Sequence, residues 1–316
     1  MGRFVVTGLV ALGALGWHGG IAAQDSPPPL PDDTNAIEVQ GDRELRRDEI
    51  MRGQRELYVT APANRTAARF HDPVCVAVVG LEGDQNDIVA QRIRDNVETA
   101  GIALAGDGCK PNALVAVNRT PKALIGALRV RDPQLFNRES EAAVRRQLAA
   151  HKPAISWGET ILRANDGILF GERQNESLNP AFAVPFYFGA LPSRHRAPLY
   201  QTKVNAIVVF DLDRLEDVHV NQLADYATLH LLGDPRDPAD HVAAGVPTIL
   251  SLFADGPSKA PLEMTSLDRA YLRGLYRMGS ADWAWRLTSK VLASYEKPTA
   301  LKDGGSPSGD RIPNPS

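Results

Sequence analysis

Aromatic residues make up only 6% of the 316 residues, and the formal net charge is just -3. Base stacking needs aromatic platforms, and polyanion binding needs a basic field. A nucleic-acid partner is therefore not expected, and the charge gives no pull toward an anionic membrane. Cysteine is limited to Cys75 and Cys109, with no Cys-x-x-Cys pair, which excludes thiol exchange of that type. No Gly-x-Ser-x-Gly elbow, phosphate-cradling Walker loop or dinucleotide fingerprint occurs. Beyond the first 23 residues, no apolar run reaches the ~20 residues a membrane span requires.

What is present is ordinary globular material, 43% hydrophobic and 23% charged. The start of the chain predicts a secretory signal peptide over residues 1–23. Arg3 supplies the positive start, Phe4 to Trp17 forms an uncharged apolar stretch, and small residues lead to Ala22 and Ala23. An uncleaved anchor helix is the alternative, and the apolar stretch is short for one. Export predicts a periplasmic or secreted protein. An even cysteine count in an oxidising compartment favours a Cys75–Cys109 disulfide over a free pair or a reactive thiol.

Residues 24–54 read as a Pro-rich and then charged linker, with room for a short helix late on, and residues 298–316 as a disordered tail. A single domain is thus expected over 55–297. Strands are predicted at Glu56–Val59, Cys75–Gly80, Ala113–Val117, Ile155–Arg163 and Val204–Leu212. Helices are predicted at Asp87–Ala100, Pro121–Arg131, Glu139–His151, Val218–Leu232, Pro247–Phe253, Thr265–Met278 and Ala281–Tyr295. Thr265 and Asp268 offer a capping box. The expected class is α+β, a mixed sheet in the first half followed by packed helices. The stretch 165–200, which contains Ser177, Ser193 and His195, fits a long surface excursion.

The helix over 218–232 carries the most chemistry. On a helical wheel, His219, Tyr226 and His230 line one flank, with Val220, Leu223, Ala227 and Leu231 together on another. A strand, a helix ending His-x-x-Gly and then helices alone resembles a zincin-type metallopeptidase. The resemblance implies two histidines one turn apart on zinc with a glutamate base between them. His230 and Gly233 match that pattern. Tyr226 stands at the first histidine, Ala227 at the glutamate and Arg236 at a third ligand. Alanine accepts no proton, so the resemblance implies a zincin-like fold that lacks the zinc motif and cannot hydrolyse by that route. The segments Ala224–Ala227, Pro247–Phe253, Asp268–Tyr276 and Phe70–Cys75 also resemble exported proteobacterial families of unknown function. A plain core helix, with His230 packed and hydrogen-bonded, accounts for the same pattern.

His219 and His230 lie eleven residues apart, about 16 Å along a helix, too far to share one ion. Asp234, Asp237, Asp240 and His241 form a proline-punctuated loop that could gather ligands or simply turn. Arg269, Arg273 and Arg277 make a four-residue stripe, either an anion-binding face or a solvated one. No metal or cofactor is expected. The function expected is a non-catalytic exported envelope protein that binds an unknown partner or small ligand. The rival is a metal-dependent hydrolase with a non-standard site around His230.

Overall fold

The computed structural model describes residues 42–59, 61–63, 65–164, 196–236 and 245–296. The expected leader, the tail, most of the 165–200 excursion, Asp237, Asp240 and His241 lie outside the described residues.

A four-stranded mixed sheet forms the first half, as the alternating apolar runs predict. Its strands are β1 (Val76–Val79), β2 (Ala113–Asn118), β3 (Ala154–Ala164) and β4 (Leu199–Asp211), in the order β1-β2-β4-β3. β1, β2 and β4 run parallel, and β3 pairs antiparallel with β4 at the edge. Parallel neighbours need a crossover, and helix α2 (Gln85–Thr99) supplies the one from β1 to β2. Gly80 makes the exit from β1. It adopts φ +98°, and a Cβ there would lie 2.0 Å from the Val117 carbonyl oxygen.

Residues alternate across the strands, so each run serves two cores. Val76, Val115, Val117, Val208 and Phe210 face α2 and helix α5 (Val220–Leu232). Ala116, Ile155, Trp157, Ile207 and Val209 face Ile125 of α3 (Pro121–Arg131) and Val144 of α4 (Arg138–Ala149). The helical second half closes the first core. It comprises α6 (Ser266–Tyr276) and α7 (Leu287–Ser294), with 3-10 turns at Ile249–Phe253 and Ala284–Arg286. The Thr265 hydroxyl accepts from the Asp268 amide at 3.3 Å, and the Asp268 carboxylate accepts from the Thr265 amide at 3.0 Å. The expected capping box is therefore formed.

The domain begins earlier than residue 55. The short helix for which the charged run left room is α1 (Arg47–Leu57), which runs on past residue 54, and the strand expected at 56–59 shrinks to one bridge between Tyr58 and Pro235. Ile50, Gly53 and Leu57 fall at helical spacing and are buried, while Arg47, Asp48 and Arg55 stay outward. Gly53 sits where a Cβ would come 2.8 Å from Leu267, so α1 lies close on α6. Asp42 accepts from the Ser266 amide and hydroxyl at 2.8 and 2.7 Å.

Cys75 and Cys109 are joined in a disulfide, with Cα atoms 6.1 Å apart and a sequence separation of 34. The bridge ties the entry of β1 to the loop before β2. Among the described residues there is no free cysteine, and no helix is long and apolar enough to cross a membrane.

Candidate functional site

Helix α5 follows β4 and is buried on nearly every side. His219 starts it as the N-cap. Its Nδ1 accepts from the Asn221 amide at 3.2 Å, and its own amide donates to the Gln222 side chain at 3.1 Å. A ring used in this way caps the start of the helix.

The other two residues of the expected flank do meet. The rings of Tyr226 and His230 are 4.5 Å apart at 31°. Tyr226 is only 2% exposed and also packs on Phe210 at 6.0 Å and edge-on against Phe253 at 5.0 Å. Ala227 is completely buried. The half-buried His230 places Nδ1 at 3.0 Å from the Ser156 hydroxyl on edge strand β3. Ser156 is held rigidly by Gln147 of α4, whose amide group donates to the Ser156 carbonyl at 2.8 Å and accepts from its amide at 2.9 Å.

A hydroxyl against an imidazole can pass a proton, and an activated serine site uses such a contact together with an orienting group and oxyanion donors. Sequence reasoning did not select Ser156. The available signal was a small polar residue at the alternation position that faces α5, between Ile155 and Trp157 on the opposite face.

The remaining polar residues of α5 act as mortar toward α2. Asp225, fully buried, accepts from Arg92 Nε and Nη2 at 2.9 and 2.8 Å, from Asn96 at 2.7 Å and from the Met264 amide at 2.7 Å. Thr228 accepts from Asn96 at 3.1 Å and donates to the Ala224 carbonyl at 2.8 Å. The C-terminal end is closed by Lys203 of β4. Its buried ammonium donates to the Leu231 carbonyl at 3.1 Å and also to that of Gly233. Burial lowers the pKa of this ammonium, and the charge of Asp234 opposes that fall. A cation at a helix C-terminus meets the negative end of the dipole. Arg236, at the third-ligand position of the metallopeptidase pattern, donates through Nε to the carbonyls of Arg55 and Tyr58, each at 3.1 Å.

The arginine stripe on α6 is divided among different partners. Arg269 pairs with Asp42 at 3.4 Å and Glu263 at 3.8 Å. Arg273 pairs with Glu296 at 2.7 Å and approaches the Thr99 carbonyl at 3.3 Å. Arg277 donates to the Ser294 hydroxyl at 3.3 Å. All three charges act on the Glu296 carboxylate and lower its pKa, with the Arg273 hydrogen bond the largest cause. Among the described residues, no group of three or more His, Cys, Asp or Glu side chains could hold a metal ion. Asp237 and His241 lie outside that set.

Comparison with protein-family models, with curated proteins and with solved structures finds no match to this chain.

Proposed function

We propose that the protein is an exported, non-catalytic binding protein of the cell envelope, in which α5 serves as a packing helix. One observation carries this reading. The positions that would bear a metal-binding histidine and a catalytic glutamate, Tyr226 and Ala227, are core residues at 2% and 0% exposure. A tyrosine clamped between Phe210, Phe253 and His230 contributes burial and ring contacts. The disulfide and the absence of a spanning helix among the described residues are compatible with life outside the cytoplasm. The half-buried edge formed by Ser156 and His230 is the surface on which a partner or small ligand would meet this helix.

A metal-dependent hydrolase built around His230, with ligands from outside the described residues, is the rival class. Metal analysis of the purified mature protein and of His230→Ala separates the two. The binding-protein reading expects no stoichiometric zinc in either. Stoichiometric zinc that disappears in His230→Ala would overturn it.

A further inference from the structure

Away from α5, at the far end of the β3–β4 pair, several donors gather without acceptors. Residues 66–71 run beside the start of β4. Arg69 bridges Thr202, and its carbonyl accepts from the Lys203 amide at 2.9 Å. Arg69 is 3% exposed. Its Nη2 donates to the Met278 carbonyl at 2.8 Å, but its Nη1 is buried with no hydrogen-bond partner. Among the described residues, no carboxylate lies within ion-pair distance of this guanidinium.

Two residues on, His71 packs its ring against Tyr200 at 4.7 Å, and neither ring nitrogen has a hydrogen-bond partner. Burial, then the charge of Arg69 and more weakly that of Arg163, hold this imidazole neutral with a pKa of about 4. Arg163, paired with Tyr200 across β3 and β4, forks onto Asp72 at 3.0 and 2.7 Å, and its Nε is buried without a partner. Asp72 is half exposed, so the cluster opens to solvent on that side.

Native interiors pair nearly all their buried donors, and a buried guanidinium without a counter-charge is among the costliest exceptions. The fork of an arginine matches a phosphate, sulfate or carboxylate, and a neutral imidazole can add one further donor. A bound anion would supply the counter-charge that Arg69 lacks and an acceptor for its unpaired Nη1, with the Asp72 charge already neutralised by Arg163.

We propose that Arg69, His71 and Arg163 form a binding site for a small oxyanion. The site involves no residue of α5 and stands independently of the function proposed for that helix.

The test is an NMR titration of the His71 ring resonances in the purified protein. Inorganic phosphate, sulfate and acetate are the separate arms, at fixed ionic strength with chloride as the control. The expected result is a saturable His71 shift with at least one oxyanion that chloride does not produce. Arg69→Gln should abolish it, and Arg163→Gln should weaken binding about tenfold, the size of a lost charge-assisted hydrogen bond. If Arg69→Gln does not fold, the wild type and Arg163→Gln decide. No shift beyond chloride in any arm, or a shift unchanged in folded Arg163→Gln, would overturn the proposal. Which anion acts tells a phosphoryl or sulfuryl group from a carboxylate.

Discussion

The guanidinium of Arg92 straddles the carboxylate of Asp225 and so fastens α2 to the helix that carries His230. Asp225 is fully buried and Arg92 is 29% exposed, so the pair sits at the inner edge of the surface. Removing Asp225 leaves Arg92 with Glu263 alone, at 3.1 Å on the exposed side. Asp225→Ala should destabilise the fold by about 3–5 kcal/mol, since it also strips acceptors from Asn96 and the Met264 amide. Urea unfolding followed by circular dichroism checks this, and a loss near zero would refute it.

Reduction of the Cys75–Cys109 bridge should lower stability by roughly 3–4 kcal/mol, the loop-closure entropy expected for a loop of this size. Melting curves with and without reductant should separate clearly. Thiol titration of the denatured, unreduced protein should find no free groups. Two free groups would show that the bridge does not form in the protein as purified.

His71 should give the protein an acid-sensitive limb. Folded, it titrates near pH 4, and unfolded it returns to about 6.5. Between those values the unfolded chain holds the extra proton, so this contribution to stability rises with pH across the window and levels off above it. The difference in unfolding free energy between wild type and His71→Gln should therefore shrink as pH falls from 7 toward 4, in a buffer with chloride as its only small anion. A difference that stays constant with pH would contradict the assignment.

Lys203 should be needed for its hydrogen bonds even though methionine would fill its space. Lys203→Met leaves the carbonyls of Leu231 and Gly233 without the ammonium that caps them. A cost of about 1–3 kcal/mol follows for buried acceptors left unsatisfied. Chemical denaturation would measure it, and amide exchange should speed up in the last turn of α5 first.

The parts of this fold that could be read directly were those whose local pattern and tertiary role agree. The run Ala206–Phe210 is apolar on both faces because helices cover both sides of β4. Thr265 and Asp268 mark the start of α6 by chemistry that needs only four residues. Helix α1 could be read only as a short helix at the end of a linker because its buried apolar residues, Ile50 and Leu57, stand among seven charged or polar neighbours, and their value appears only when α6 and α7 are in place. The antiparallel placement of β3 at the edge also depends on pairing across the chain. At the candidate site, the wheel correctly joined Tyr226 to His230. It did not show that the His219 ring caps its own helix start, and it could not reveal Ser156, which arrives from 74 residues away.

Helix α1 leans on α6 and α7, and Tyr58 donates to Asp268 at 2.9 Å across 210 positions of sequence. A chain that emerges from its amino end must hold this helix idle until almost the whole domain has followed. Its greasy stripe of Ile50 and Leu57 stays bare for that interval, and the numerous arginines and acids around it keep the waiting segment in water. Sealing of the domain is thus a late event, set by the arrival of the last helices and not by the first turn to form.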